Sequence, residues 1–175
     1  MKQEQIRRAT QADVPVLVEF NVALALETEG LRLSPQVVQA GISEVLGNSS
    51  RGFYLVSEVD AVVVGAMMIT SEWSDWRNGN FWWLQSVFVR PEHRGRGVFR
   101  RLYGYALELA REDASACGFR LYVEQDNQAA QRTYASLGMR RTHYIVYEAL
   151  KCLNLGSWSA APVPGDDRSA ETQQN

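Results

Sequence analysis

The stretch FWWLQSVFVRPEHRGRGVF, residues 81–99, decides the fold. Its first half, Phe81 to Val89, is a run of aromatic and β-branched residues, which is typical of a strand. Pro91 ends this run, and a turn rich in arginine and glycine follows. Apolar residues then recur at helical spacing: Val98, Phe99, Leu102, Tyr103, Ala106, Leu109 and Ala110. The segment therefore predicts a strand, a tight turn and a helix in succession.

The predicted turn has the composition of an anion-binding site. Gly95 and Gly97 can adopt backbone angles that other residues avoid, and they let a ligand approach the main chain. The first N–H groups of the next helix have no intrahelical partner, and the helix dipole adds partial positive charge there. Nearby arginines add more charge: Arg94, Arg96, Arg100 and Arg101. The alternative interpretation is an ordinary glycine turn beside a solvated arginine surface.

The same stretch resembles the Gln/Arg-x-x-Gly-x-Gly/Ala signature of the GNAT acetyltransferase superfamily. Arg94 and Gly97 match it, and Phe99 stands at the final Gly/Ala position. The later stretch QDNQAAQRTYASLGM resembles the second family pattern, Asn-x-x-Ala-x-x-x-Tyr-x-x-x-Gly-Phe, with Met139 in place of Phe. Its matching residues are Asn127, Ala130, Tyr134 and Gly138. Alone, this stretch also fits a capped helix with Tyr134 in the core, but two matches in this order favour the family.

The resemblance implies that acetyl-coenzyme A (acetyl-CoA) is the cosubstrate. Backbone N–H groups of Val87, Phe88 and Val89 are expected to bind the pantetheine arm like an added strand. Asn127 is expected to position that arm. The pyrophosphate is expected on the turn and the helix start: Arg94, Gly95, Arg96, Gly97, Val98, Phe99 and Arg100.

The resemblance also implies two catalytic groups. Tyr134 is expected to be the general acid that protonates the departing sulfur. A base must remove a proton from the acceptor amine, because an alkylamine has a pKa near ~10. Glu27, after the first helix, is the favoured base, and three other acids remain candidates: Glu29, Glu72 and Asp75. Each of these acids also fits a solvated surface position.

Length and charge restrict the class of protein. The chain of 175 residues is long enough for one domain with a sound core. Its net charge of −2 argues against a general nucleic-acid binder, whose domain would be basic. No stretch reaches the ~18 apolar residues of a membrane span, and the N-terminus has no apolar signal core, so a cytoplasmic protein is expected. His93 and His143 have no metal-ligand spacing, so no metal is expected.

The remaining chain predicts strands and helices around the opening segment. Strands are expected at Gln5–Ala9, Phe53–Glu58, Val62–Thr70 and Phe119–Glu124, with one or two more in Met139–Leu150. Helices are expected after Thr10, ending near Gly30, from Ser34-Pro35 to Gly47-Asn48, and after Asn127. Ser71–Asn80 is expected to be a polar loop, with Trp73 and Trp76 as a substrate wall or a subunit contact. Cys117 is expected to be a small, buried residue near the end of a helix.

This order predicts one α/β (α+β) domain of GNAT type, with a central, mixed, mostly antiparallel twisted sheet flanked by helices. The domain is expected over residues 1–153, followed by a flexible tail, 154–175, of Gly, Ser, Ala, Pro and acidic residues.

The expected function is transfer of the acetyl group of acetyl-CoA to the primary amine of a small, amino-acid-like molecule, by direct attack in a ternary complex. Alternatives are a non-catalytic acyl-CoA-binding module, an acetyltransferase acting on a protein or peptide amine, and, less favoured, an RNA-binding protein. No nucleic-acid or membrane partner is expected, and a homodimer is left open.

Overall fold

The computed structural model of the protein describes residues 4–147. Five strands form one sheet in the order β1-β2-β3-β4-β5: β1 (Glu4–Arg8), β2 (Phe53–Val59), β3 (Val62–Ser74), β4 (Gly79–Val89) and β5 (Ala116–Leu121). The first three pairings are antiparallel and the β4–β5 pairing is parallel. Four helices accompany the sheet: α1 (Val14–Glu29), α2 (Pro35–Gly47), α3 (Val98–Glu112) and α4 (Gln128–Ser136). The predicted mixed, mostly antiparallel α+β fold is confirmed.

Two apolar cores lie on opposite faces of the sheet. On one face, Leu102 and Ala106 of α3 pack with Met67, Trp82 and other buried residues of the strands. On the other face, Leu17 and Phe20 of α1 and Ile42 of α2 pack with Tyr54, Val56, Ala66 and Phe88. The sheet is therefore covered by helices on both faces, which explains why β3, in its centre, is apolar on both.

Several predicted helix ends are confirmed by their backbone geometry. Thr10 and Asp13 form the expected capping box, although it closes a short 3-10 turn, Gln11–Asp13, that leads into α1. Gly30 ends α1 in the left-handed conformation. Pro35 lies in the first turn of α2, and the Asn127 side chain caps α4 by accepting a hydrogen bond from the Ala130 N–H.

The predicted polar loop over residues 71–80 was wrong. Strand β3 continues to Ser74, β4 begins at Gly79, and only a 3-10 turn, Asp75–Arg77, with Asn78 joins them. Pairs such as Ser71 with Trp82 extend the ladder, so polar side chains stand on a paired and partly solvated strand. The polar residues of this segment correctly indicated solvent exposure, but they did not indicate that the backbone forms strands.

Three further expectations differ from the structure. Helix α3 ends at Glu112 and β5 already begins at Ala116, so Cys117 lies on a strand and is exposed rather than buried. Strand β1 begins and ends one residue earlier than expected. No strand forms between Met139 and residue 147, and the rest of that predicted strand region lies outside the described residues.

Contacts divide the chain into two units, Met1–Met139 and Arg140–Asn175. The first unit contains all the strands and helices named above. Of the second, residues 140–147 are described, and the rings of His143 and Tyr144 lie 4.4 Å apart there. The expected boundary between residues 153 and 154, and the expected tail, fall outside the described residues. Within residues 4–147, no helix has the length and apolar character needed to cross a bilayer.

Gly65 lets the middle of the sheet approach the start of α3. A Cβ atom on Gly65 would lie 2.8 Å from Val98 Cγ1 and 3.2 Å from the Phe88 carbonyl oxygen. Both atoms belong to packed elements, so the contact cannot relax cheaply. Glycine at position 65 therefore sets the distance between β3 and the first turn of α3.

We expect Gly65→Ala to lower the free energy of unfolding by about 1–3 kcal/mol, because it overpacks this contact. Gly104→Ala, on α3 itself, is the matched control: its added Cβ meets no atom of another element within 4 Å, so stability should stay equal or rise by up to ~1 kcal/mol. Urea unfolding of both variants measures the difference. Equal stability of the two variants would contradict this account of Gly65.

Candidate active site

Strand β4 loses its parallel neighbour halfway along its length. The last β4–β5 pair is Leu84 with Leu121, while the antiparallel pairing with β3 continues to Val89 opposite Gly65. Residues 85–89 thus have no partner strand on the β5 side within the described part of the chain. Strand edges carry backbone N–H and C=O groups that need partners. This free edge, residues 85–89, can therefore take an extended ligand.

A β-bulge lies at the beginning of the free edge. The register steps from Met68 opposite Gln85 to Ala66 opposite Phe88, so β4 contains one more residue than β3 there. Ser86 has φ +46°, in the left-handed region that non-glycine residues rarely adopt. Leu84 and Phe88 would share one face of a regular strand, but the bulge places them on opposite faces. Leu84 packs in the α3 core, and Phe88 packs in the α1–α2 core.

The buried Tyr54 side chain supports this bulge. Its phenol interacts with the side chains of Ser86 and of Asn21 on α1. Burial raises the pKa of Tyr54, while the two hydrogen-bonding neighbours oppose that rise. The phenol is therefore neutral at physiological pH and links α1, β2 and the bulge through polar contacts.

A 3-10 turn, Pro91–His93, joins the free edge to the glycine turn. Gly95 and Gly97 have φ values of +72° and +76°, which only glycine adopts without strain. Gly97 is the N-cap of α3, and no side chain caps this helix end. The first N–H groups of α3 are therefore available to an anion.

The four arginines of this region divide into two kinds. Arg94 is engaged: its Nε donates to the Val89 carbonyl oxygen at 2.9 Å and its Nη2 lies 2.7 Å from Glu27 Oε2. Arg101 donates to the Arg96 carbonyl oxygen at 2.9 Å and pairs with Glu4. The Arg96 side chain makes no hydrogen bond or ion pair within residues 4–147, and that of Arg100 makes only a 3.5 Å hydrogen bond with Ser136 Oγ. Arg96 and Arg100 are therefore the cations still available to a ligand.

Tyr134 of α4 packs against the first turn of α3. Its ring meets that of Phe99 edge-on with centroids 5.4 Å apart, and Phe99 also stacks on Tyr103 at 6.2 Å. Phe99, which departs from the small residue of the family pattern, is therefore the surface that holds Tyr134. Burial raises the pKa of the Tyr134 phenol above its ordinary value of 10, which keeps it protonated.

The four candidate bases have different surroundings. Glu27, on the last turn of α1, is half-exposed and contacts Arg94 through one oxygen. Glu72, on β3, has both oxygens occupied, one by Arg120 and the other by the Trp83 indole N–H. Asp75 accepts a hydrogen bond from the Trp76 backbone N–H, and Glu29 is exposed. Trp73, near the end of β3, is 58% exposed, and Trp76, in the β3–β4 turn, is 86% exposed.

Comparison with known proteins now decides the family. The model of the "Acetyltransferase (GNAT) family" matches residues 25–139. The chain belongs to this family of acetyltransferases. GNAT acetyltransferases use acetyl-CoA, so the expected cosubstrate is confirmed at the level of the family.

Two similar proteins and one similar solved structure show what this acetyltransferase resembles. An uncharacterized N-acetyltransferase of Archaeoglobus fulgidus is 34% identical, over 78% of this chain and 93% of that protein. The L-amino acid N-acyltransferase MnaT of Escherichia coli is 31% identical, over 76% and 77%. A solved structure of a possible acetyltransferase from Clostridium difficile 630 is 42% identical with a TM-score of 0.79, over 85% and 97%.

The acetyltransferase carries local features that its sequence did not indicate. Ser86 stands in an otherwise strand-like run, and neither it nor its supports Tyr54 and Asn21 was expected near the site. The polar pair Gln85-Ser86 inside an apolar strand was the only signal available. The engagement of Arg94 by Glu27, whose residues are 67 positions apart, needed the folded chain.

We expect Ser86→Val to disturb this bulge, because a β-branched residue tolerates a positive φ badly, at a cost of about 1–3 kcal/mol. Ser86→Gly relieves the strain and serves as the matched variant without a side chain. By calorimetric titration, coenzyme A should bind roughly 10-fold or more weakly to Ser86→Val than to Ser86→Gly. Equal affinities would show that ligand binding does not depend on the bulge geometry.

Proposed function

We propose that the protein is an N-acetyltransferase that moves the acetyl group of acetyl-CoA to the primary amine of a small, amino-acid-like molecule. The transfer is direct, within a ternary complex. The observation that carries this proposal is the continuity of the free edge of β4 with an uncapped helix start. The name of the E. coli relative, an L-amino acid N-acyltransferase, supports an acceptor of this class.

The residues present fit coenzyme A, which supplies an activated acetyl thioester. Its extended pantetheine arm has amide groups, and these match the Val87–Val89 segment of the free edge. The Arg90 N–H donates to the Val64 carbonyl on β3, so by alternation the backbone of Phe88 also faces β3, and the N–H groups of Val87 and Val89 face the open side. Its pyrophosphate matches the N–H groups of Gly97, Val98 and Phe99, while Gly95 shapes the turn. We assign charge recognition to Arg96 and Arg100, and assign Asn127, whose amide nitrogen is not used by its cap, to the arm.

Arg94 takes a different part in this proposal from the one expected on sequence. Its guanidinium is held by the Val89 carbonyl and by Glu27, and it lies 5.5 Å from the Phe88 ring centroid. Arg94 thereby joins the end of β4, the turn and the end of α1. We assign it to positioning the turn for the pyrophosphate, with its backbone contributing to the cradle.

Tyr134 acts as the general acid in this scheme. A phenol with a raised pKa remains a proton donor across the physiological range, and Phe99 holds it beside the helix start. Its proton goes to the departing sulfur. No covalent bond to the protein is needed.

Glu27 acts as the general base, directly or through water. Its contact with Arg94 places the carboxylate one side chain away from the Val89 carbonyl at the end of the free edge. One of its oxygens makes no hydrogen bond within residues 4–147 and can accept a proton. Glu72 is the weaker candidate, because both of its oxygens already accept hydrogen bonds.

Tyr134→Phe should lower kcat roughly 10- to 100-fold, because it removes the proton donor but keeps the ring on Phe99. The affinity for coenzyme A should stay unchanged. Tyr103→Phe is the matched control, since it removes a buried phenol that stacks on the same Phe99 ring. A thiol-release assay with a panel of amines measures both. Unchanged kcat in Tyr134→Phe would exclude the phenol as the acid. If no amine of the panel supports thiol release by the wild-type protein, the proposed function is excluded.

Glu27→Gln should lower kcat/KM roughly 10- to 100-fold for the amine and remove one ionisation from its pH profile. Glu19→Gln provides the control, because Glu19 also lies on α1 and pairs with an arginine, Arg90, at 2.8 Å. Arg94→Gln separates the two roles of Glu27. If Arg94→Gln lowers kcat/KM as much as Glu27→Gln does, and if the pH profile of Glu27→Gln equals that of the wild type, Glu27 supports the turn and is not the base.

A further inference from the structure

A cluster of aromatic and charged side chains lies on the sheet outside both apolar cores. Thr70 of β3, Trp83 of β4 and Arg120 of β5 are register partners, so their side chains share one face. Glu72 and Phe81 are the next pair on that face. Tyr122, 60% exposed, closes the row with its ring centroid 4.4 Å from that of Trp83. We call Glu72, Arg77, Phe81, Trp83, Arg120 and Tyr122 the Arg120 cluster.

The guanidinium of Arg120 is fixed in place. Its Nη1 donates to Glu72 Oε1 at 2.7 Å, and its central carbon lies 3.7 Å from the centroid of the Phe81 ring. Gly118 makes room for that ring, because a Cβ there would lie 2.8 Å from Phe81 Cε1. Three residues on three strands thus orient Arg120: the carboxylate of Glu72, the ring of Phe81 and Gly118, which leaves space for that ring.

Most hydrogen-bond donors of Arg120 are still free. A guanidinium has five N–H donors, and within residues 4–147 only Nη1 has an acceptor. The side chain is 35% exposed, so its remaining fork reaches solvent. Such a fixed fork matches the two oxygens of a carboxylate.

The charge of the cluster is positive. Arg77, at the β3–β4 turn, lies 4.9 Å from the centroid of the same Phe81 ring. The cluster thus contains two arginines and one carboxylate, and both oxygens of that carboxylate are occupied, by Arg120 and Trp83. One positive charge remains without a counterion among the cluster residues, which favours an anionic ligand.

We propose that Arg120, assisted by Arg77, binds the carboxylate of the acceptor, so that the acceptor is an amine with a free carboxylate. This inference rests on the proposed function. Phe81 precedes Gln85, where the free edge of β4 begins, by four residues, or about 13 Å of strand. An extended peptide spans ~3.3–3.6 Å per residue, so one molecule with its amine at the free edge and its carboxylate at Arg120 is a short peptide or a long ω-amino acid. The rings of Trp83 and Tyr122 lie beside its apolar part.

The test uses acceptors in matched pairs: α-amino acids, ω-amino acids and dipeptides, each as free acid and as carboxamide. For wild-type protein and Arg120→Gln, the ratio of kcat/KM for acid over amide is measured by thiol release. Comparing this ratio between proteins cancels the different basicity of the two amines. Arg120→Gln should lower the ratio roughly 10- to 100-fold through the acids alone, and calorimetry should show weaker binding of the acid to the coenzyme A complex.

The controls keep this proposal separate from folding and from the proposed function. Arg51→Gln removes an arginine paired with Glu44 at 3.5 Å after α2, and it should leave the ratio unchanged. If Arg120→Gln fails to fold, Arg77→Gln, at an exposed turn, should lower the same ratio. A ratio equal to wild type in the folded variant overturns the carboxylate site while acetyl transfer stands. Absence of transfer to every amine overturns the proposed function itself.

Discussion

The separation of β4 from β5 after Leu84 is the constraint on which the rest of the structure depends. Paired strands satisfy each other's backbone groups, so a ligand can add to a sheet only where this pairing stops. The bulge at Ser86 lies at the beginning of the free edge, and the glycine turn and uncapped α3 lie just beyond its end. Backbone groups without protein partners thus occur both on the free edge and at the helix start, and the hydrogen-bonded turn Pro91–His93 joins the two.

Side chains hold this backbone arrangement from both faces of the sheet. Tyr54 and Asn21 support the bulge, Gly65 sets the approach of α3, and Arg94 fixes the turn. Helix α1 contributes twice through ion pairs, because Glu19 contacts Arg90 and Glu27 contacts Arg94. Each exposed ion pair is worth only ~0–1 kcal/mol, so their importance lies in geometry rather than stability. Helix α1, which carries the proposed base Glu27, is thereby tied to the turn that is proposed to hold the pyrophosphate.

The sequence predicted those features that depend on local chemistry. The glycines at 95 and 97, the cap at Asn127 and the end of α1 at Gly30 follow from the conformations that single residues allow, and all are found. The family resemblance predicted the fold and the cosubstrate class. Features that depend on partners distant in sequence were not predictable. The strand over residues 71–74 requires its ladder partners on β4, and exposed Cys117 follows from where β5 begins. The sequence did not distinguish Glu72 from other surface acids, because its partners, Arg120 and Trp83, lie on other strands.

The central claim is that the backbone groups of the β4 free edge and of the α3 start bind one extended, phosphorylated ligand together. Amide-resolved NMR during a titration with coenzyme A tests it most directly. The account predicts saturable shifts of the Val87, Phe88 and Val89 amides together with those of Gly97, Val98 and Phe99, all following one dissociation constant. Shifts confined to other parts of the chain, or two unrelated constants for the two groups, would contradict it.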